Sequence, residues 1–333
     1  MSLTSTYLGL TLKSPLVASA SPLNGTLDNL RRLEDAGTGA IVLPSLFQEQ
    51  IEGEEEDRRW KIEIHADSSP EALTYFPSAV SAPYGFGPER YLDLVRRATE
   101  AVSIPIIGSL NGSSLSGWTD YARLIEEAGA AAVELNMYYI PTGLQESGRD
   151  IEVRYTEIVD SVCGGTALPV SVKLPSNLSA IGHFAMTLVE HGAAGLVLFN
   201  RSLQPDIDLL RLSLADTSDL SDANEMRLPL LWTAILAGRT RASLATSTGV
   251  STAADVVKCL LAGADVVMTT SALLRHDIGY MSTLASGLRS WMDERGIANL
   301  AEMRGQMSWL QSHDRSVYTR ANYIRILQHS TPH

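Results

Sequence analysis

Short apolar runs alternate with segments of helical spacing along most of this chain. Each run is four to six residues long, and small or polar side chains lie at or next to its carboxyl end. This alternation predicts parallel strands joined by crossover helices. The runs are Leu16–Ala20, Ala40–Leu43, Ile104–Ser109, Ala132–Asn136, Pro169–Leu174, Gly195–Phe199, Leu244–Thr248 and Val266–Thr270. Eight strand–helix units close a barrel, so the predicted fold class is α/β, a (β/α)8 TIM barrel.

The carboxyl ends of the predicted strands carry the polar residues of interest. Because active sites of such barrels lie at these ends, the polar side chains there should face one mouth. They are Ser21, Ser45, Asn111, Asn136, Lys173, Asn200, Gly249 and Ser271.

The whole chain, residues 1–333, is predicted to form a single domain. Two insertions interrupt the alternation, near residues 48–88 and 201–227, and both fall on the catalytic side, where long loops commonly bind ligands. The acidic run Glu52–Asp57 in the first insertion is typical of a solvated face. From about residue 280 a tail follows, in which Tyr280–Ile326 is predicted to form two helices outside the barrel.

Charge and composition limit the classes of partner and the cellular location that we expect. The net charge of -12, without a basic stripe, argues against nucleic acid as a partner. The two cysteines form no CxxC pair, no run of about 20 apolar residues is present, and Met1–Leu8 has no signal-peptide pattern. The scattered histidines have no metal-ligand spacing, so no metal is expected. These features predict a cytoplasmic protein without a membrane segment.

Lys173 ends an otherwise apolar strand, where an unpaired charge would be costly. A lysine at the mouth can hold an anion, form a Schiff base or stabilise negative charge on a cofactor ring. The alternative is a structural ion pair within the barrel.

Asn136, Asn200 and Asn111 offer amide donors and acceptors to a planar heterocycle, although a single asparagine can equally be a turn residue. The segments around Gly249 and Ser271 follow the last two strands. Those loops and a helix N-terminus form the common phosphate site of barrels, although small residues also occur there for packing.

Several of these strand-end motifs resemble the dihydroorotate dehydrogenase family, the flavin mononucleotide (FMN) barrels of pyrimidine synthesis. The family's V-K-L-P-P is similar to Val172–Ser176, and its E-L-N-x-S-x-P-N to Glu134–Pro141. Its N-A-S-G, G-T-G-G-I and G-T-A-L motifs are similar to Ser19–Pro22, Thr246–Val250 and Thr270–Leu273. The resemblance covers roughly residues 7–295.

The resemblance implies an FMN site in the mouth. Lys173 would lie near the flavin N1–C2 edge and stabilise the reduced, anionic ring. The residues implied around the isoalloxazine and ribityl groups are Ala20, Ser21, Ser45, Asn111, Asn136 and Asn200. Those implied to hold the phosphate are Gly249, Val250, Thr270 and Ser271. The substrate would contact Asn136 and Asn200, with Arg201 as a candidate for a substrate carboxylate.

This chain departs from the family pattern on the substrate side. The family's Cys or Ser base falls at Tyr139, whose phenol has a reference pKa of about 10. The family's lysine after strand two falls at Pro44, and two of its four substrate-binding asparagines fall near Ser78 and at Pro141.

The expected reaction transfers a hydride from a C–H bond of a small cyclic substrate to flavin N5, while Tyr139 removes the neighbouring proton. By resemblance to the soluble branches, a homodimer is expected, with fumarate as a possible electron acceptor. Two alternatives stay open. One is a flavin-binding protein that acts on another substrate or serves a binding role, and the other is a flavin-free barrel that binds a sugar phosphate through Gly249 and Ser271.

Overall fold

The computed structural model describes residues 2–48, 50–51, 87–112, 118–201, 206–215 and 220–319, together with 322, 324, 327 and 328. The strands in these residues are β1 (Ser5–Tyr7), β2 (Leu10–Leu12), β3 (Leu16–Ala18), β4 (Ala40–Phe47), β5 (Ile106–Asn111), β6 (Ala132–Asn136), β7 (Val170–Leu174), β8 (Gly195–Leu198), β9 (Asp206–Asp208), β10 (Ser213–Ala215), β11 (Ser243–Thr246) and β12 (Val266–Thr269). A closed barrel runs in the order β11-β12-β3-β4-β5-β6-β7-β8, and every pairing within it is parallel. The predicted (β/α)8 barrel is confirmed.

Helices follow each strand of the barrel and cover its outside. Their bounds are α1 (Leu27–Asp35), α2 (Pro88–Ala101), α3 (Trp118–Glu127), α4 (Gly148–Gly165), α5 (Ile181–Glu190), α6 (Arg227–Leu236), α7 (Ala253–Ala262), α8 (Ser271–His276), α9 (Tyr280–Asp293) and α10 (Leu300–Met303). Helical spacing explains their packing: in α3, for example, Trp118, Ala122 and Ile125 are buried one turn apart on one face.

Helix α7 shows how local sequence signals set the elements. The Thr252 side chain accepts a hydrogen bond from the backbone of Asp255, and the Asp255 side chain accepts one from the backbone of Thr252, which forms a capping box. Gly263 ends the helix at φ 117°, a left-handed conformation that favours glycine. Both signals are visible in the sequence itself, and Cys259 on this helix is buried in the core.

Alternation along the strands divides the core into two layers. Residues that point outward pack against the helices. The inward-pointing layer includes Val17, Val42, Ile107, Val197 and Met268, and Tyr7, Leu8 and Leu12 from the β1–β2 hairpin pack against it. This hairpin lies at the amino ends of the strands, where the Ser5 hydroxyl donates to the Asp265 carbonyl. It was not predicted, although it closes the base of the barrel.

Several strands end earlier than the apolar runs indicated. Strand β11 stops at Thr246 because Thr248 (φ 74°) and Gly249 (φ 78°) are left-handed, which a strand cannot accommodate. Likewise β3 stops at Ala18 and β8 at Leu198. The residues just past these ends therefore form loops at the mouth.

Most of the first insertion, with the Glu52–Asp57 run and Ser78, lies outside the described residues. The second insertion contains the antiparallel β9–β10 hairpin. In the tail, α9 is followed by the short helix α10 and by a 3-10 turn at Arg315–Tyr318. Gly296 and Gly305, both at positive φ, interrupt the helical path there. No helix among the described residues has the length and apolarity to cross a membrane.

Candidate active site

A cavity of about 180 Å³ opens at the carboxyl ends of β3, β7, β8, β11 and β12. It brings together many residues that the sequence placed at the mouth. Those lining it are Ala20, Lys173, Asn200, Arg201, Gly249, Val250, Thr270 and Ser271. Ser19, Ser221, Ser247, Thr248, Met268 and Thr269 complete the lining. The wall is rich in hydroxyl and amide donors, which suits a polar ligand.

A larger cavity, of about 510 Å³, lies at the opposite end of the barrel beside Asp265 and Arg304. Those two side chains are paired with each other. We place the candidate site at the mouth because catalytic residues of such barrels come from the carboxyl ends of the strands.

The loops after β11 and β12 form one corner of the cavity. Gly249 is closely surrounded, because a Cβ built on it would lie 2.6 Å from both the Asp222 carbonyl and the Met226 amide nitrogen. The Ser221 hydroxyl connects the two loops: it accepts from the Gly249 backbone (3.3 Å) and donates to the Ser271 hydroxyl (2.9 Å). Ser221 was missed, because it belongs to the segment interpreted as an irregular insertion.

Lys173 lies at the floor of the cavity and is almost fully buried. Its Nζ donates to the Ser19 hydroxyl at 3.2 Å and lies 3.7 Å from Glu134 Oε1. Glu134 is completely buried inside the barrel, and this burial raises its carboxyl pKa, while Lys173 acts in the opposite direction. The ion pair considered for Lys173 therefore exists, and the same lysine also lines the cavity.

Two predicted amides meet at the mouth. Asn200 Nδ2 donates to Asn136 Oδ1 at 2.8 Å, so the side chains form one hydrogen-bonded pair between β6 and β8. Asn111 is buried at the end of β5, directly opposite Asn136 in the strand register.

Other predicted residues lie near the rim without lining this cavity. The Ser45 and Ser109 hydroxyls are 2.8 Å apart across β4 and β5. Ser21 is buried, and its hydroxyl has no hydrogen-bond partner among the described residues. Pro44 is buried within β4, next to a shift in strand register between Val42 and Ser45.

Tyr139 lies on the loop after β6, in a charged cluster that does not line the cavity. Its hydroxyl donates to Glu146 Oε2 at 2.7 Å. Arg154 pairs with the same carboxylate, and its guanidinium lies 5.1 Å from the centroid of the Tyr139 ring. Hydrogen bonds from Tyr139 and Arg154 hold the pKa of Glu146 below its ordinary value.

Arg201 reaches the cavity, but its charge is already paired. Nε and one terminal nitrogen donate to the two carboxylate oxygens of Glu225, at 3.0 and 3.2 Å. Glu225 also accepts from the Asp222 backbone, which fixes the carboxylate in place. An anionic ligand would therefore have to compete with Glu225 for this guanidinium.

The family model of dihydroorotate dehydrogenase matches residues 2–292 of this chain. The chain belongs to the dihydroorotate dehydrogenase family. Membership makes it an oxidoreductase related to dihydroorotate dehydrogenase, as the strand-end motifs had indicated.

Relatives of known name are similar over most of their length. A Pyrococcus abyssi protein named dihydroorotate dehydrogenase B (NAD(+)), catalytic subunit, is 26% identical over 89% of this chain and 96% of that protein. An Aeropyrum pernix protein with the provisional name dihydroorotate dehydrogenase A (fumarate) is 26% identical over 89% of this chain and 94% of its own length. The PreA subunit of NAD-dependent dihydropyrimidine dehydrogenase from Escherichia coli (strain K12) is 23% identical over 90% of this chain and 75% of its own.

Proposed function

We propose that this chain is an FMN-dependent dehydrogenase that oxidises a CH–CH bond of a small cyclic substrate, with dihydroorotate as the first candidate. The single observation that carries the proposal is the mouth cavity. It combines a buried lysine, an amide from the Asn136–Asn200 pair and two small-residue loops on one wall. Family membership supports the same chemistry.

The residues present fit FMN. Gly249 and Val250 with Thr270 and Ser271 would hold the phosphate, because small residues let a ligand approach backbone N–H groups closely. Ser21, whose buried hydroxyl has no partner among the described residues, is a donor suited to the ring or the ribityl chain, beside Ala20, Ser45, Asn111 and Asn136. When bound, FMN supplies the acceptor of the hydride.

The protein's own residues supply binding, charge and proton transfer. Lys173 places a positive charge at the cavity floor, and the Asn136–Asn200 pair orients a planar ring through its free amide atoms. Tyr139 is the proposed proton acceptor, with the Glu146 carboxylate hydrogen-bonded to its hydroxyl. The proposal also includes an electron acceptor, which by resemblance is fumarate in one branch of the family. A homodimer and a cytoplasmic location are further parts of it.

A second candidate substrate is an uncharged dihydropyrimidine, such as 5,6-dihydrouracil. Arg201, the predicted contact for a substrate carboxylate, already has its guanidinium paired with Glu225. This pairing leaves little free positive charge for the carboxylate of dihydroorotate. The similarity to PreA supports the same candidate.

Anaerobic absorption spectroscopy of the purified protein tests both candidates. A flavin band that bleaches on addition of dihydroorotate supports the first, and bleaching with 5,6-dihydrouracil alone supports the second. A flavin band that persists with both compounds argues for another substrate or for a binding role. A colourless protein that FMN does not reconstitute would contradict the cofactor and favour the sugar-phosphate alternative.

A further inference from the structure

Glu134 is an unusual residue for the interior of a barrel. It points inward from the middle of β6, between Ser109 of β5 and Ser171 of β7 in the strand register, and its side chain is 0% exposed. Neither carboxylate oxygen has a hydrogen-bond partner among the described residues. A buried carboxylate in this condition is strongly destabilising unless an opposite charge compensates for it.

Lys173 is the positive group that faces Glu134. The titratable groups around the carboxyl are Lys173, Tyr7 from the base hairpin and Tyr91 from α2. Tyr91 is occupied by the backbone of Ser109, to which its hydroxyl donates. Of these three groups only lysine carries a positive charge, so the interaction at 3.7 Å is the compensation that Glu134 receives.

Lys173 in turn depends on Glu134. The Lys173 side chain is 7% exposed, and the Ser19 hydroxyl is a neutral acceptor. A buried ammonium with only a neutral partner tends to lose its proton, since burial disfavours the charged form. A nearby carboxylate reverses that tendency.

We infer that Glu134 is a positioning residue, whose buried carboxylate keeps the Lys173 ammonium charged and directed at the cavity. Its importance for flavin binding rests on the proposed function, but the Glu134–Lys173 coupling does not. A buried ion pair adds little net stability compared with apolar residues of the same volume. Here the pair delivers a fixed positive charge to the floor of the site.

Lysine NMR of the full-length chain tests the coupling directly. The sequence has only four lysines, so a protein labelled with [ε-13C]lysine gives few signals: Lys13, Lys61, Lys173 and Lys258. The loss of one signal in Lys173→Met assigns Lys173. At about pH 8, we expect the Lys173 signal at the ammonium position in the wild type and displaced toward the free-amine position in Glu134→Gln.

Glu34→Gln is the matched control. Lys13 Nζ lies 4.0 Å from Glu34, a separation close to that of the buried pair, but this pair is on the surface. Water solvates the Lys13 ammonium, so its signal should stay in place. A Lys173 signal that does not move in folded Glu134→Gln would overturn the inference.

FMN affinity gives a second readout, which separates this inference from the proposed function. In Glu134→Gln we expect FMN to bind at least about tenfold more weakly at pH 8, as for a lost charge-assisted hydrogen bond, and to recover near pH 6. An equal loss of FMN affinity at pH 8 and pH 6 would indicate that Glu134 has a merely structural role. If the wild type binds no FMN while the NMR result holds, the proposed cofactor fails and the coupling stands.

A double variant covers the case in which Glu134→Gln does not fold. Glu134→Gln combined with Lys173→Met removes both charges with similar side-chain volumes. If only the double variant folds, Glu134 is needed because of Lys173, as inferred. If the double variant also fails to fold, Glu134 has a role independent of Lys173, and the inference is wrong.

Discussion

The proposed role of Tyr139 in proton transfer can be tested by a single substitution. The resemblance implies that it takes the position of the family's Cys or Ser base, and its hydroxyl donates to Glu146, which is itself paired with Arg154. A carboxylate held ionised in this way orients the phenol but is too weak a base to take its proton. We therefore expect the base to be the Tyr139 phenolate, formed by loss of its proton to solvent, and the loop must bring it to the cavity for it to reach the substrate.

Tyr139→Phe tests this role. General acid–base catalysis contributes about 10²–10⁴-fold, so we expect flavin reduction by the substrate to slow by that factor while FMN binding is unchanged. Stopped-flow absorbance under anaerobic conditions measures the rate. Tyr138→Phe, a change in the adjacent half-buried tyrosine, is the control. Equal rates in the two variants would exclude Tyr139 as the base.

At the same scale, the sequence predicted which residue types gather at the mouth, but not their partners. Lys173, Asn136 and Asn200 stand at the ends of apolar runs, a position that any barrel directs to one face. Glu134 was missed as a partner of Lys173, although the alternation Ala132, Glu134, Asn136 already placed its side chain inside. Contacts such as Arg201 with Glu225 depend on loop conformation, which periodicity does not encode.

At the scale of elements, the loop after β11 is defined by its backbone. Thr248 and Gly249 are both left-handed, and Gly249 fits only because it has no side chain. The sequence indicated a small-residue turn here, and the Thr252 cap sets the start of helix α7. The exact end of β11 could not be predicted, because positive φ at a threonine follows from tertiary contacts rather than from propensity.

Gly249→Ala and Gly9→Ala separate backbone strain from steric contact. Gly9 has nearly the same φ (77° against 78°), but a Cβ there would meet nothing within 4 Å. We expect Gly9→Ala to lower the free energy of unfolding by about 1–2 kcal/mol, the cost of the left-handed conformation. Gly249→Ala should cost more and also weaken FMN binding, since Asp222 and Met226 must move. Urea unfolding measures both costs, and equal losses would show that the close approach is unimportant.

At the scale of the whole molecule, the barrel interior changes character along its axis. The base is apolar and closed by the β1–β2 hairpin, with Tyr7 completely buried. The opposite end is polar and carries the candidate site. The closed barrel could be predicted because it repeats one local pattern, whereas the base hairpin could not, since three-residue strands give almost no periodic signal.

Two substitutions at Tyr7 test this closure. Tyr7→Ala would leave a cavity under the barrel, so we expect the free energy of unfolding to fall by about 3–5 kcal/mol. The Tyr7 hydroxyl has no hydrogen-bond partner among the described residues, so Tyr7→Phe should leave stability unchanged or slightly higher. Thermal unfolding distinguishes the two, and a large loss in Tyr7→Phe would mean that the hydroxyl is satisfied.

The pairing of β3 with β12 has a consequence for synthesis of the protein. Val17 lies opposite Met268, and Leu8 at the base bonds to Ser243, a residue 235 positions later. At 5–20 residues per second, roughly 250 residues take the ribosome about 12–50 s. During that interval β3, the first strand of the barrel, lacks its β12 partner and exposes an apolar surface. We therefore expect chaperones to bind the nascent chain until β12 emerges.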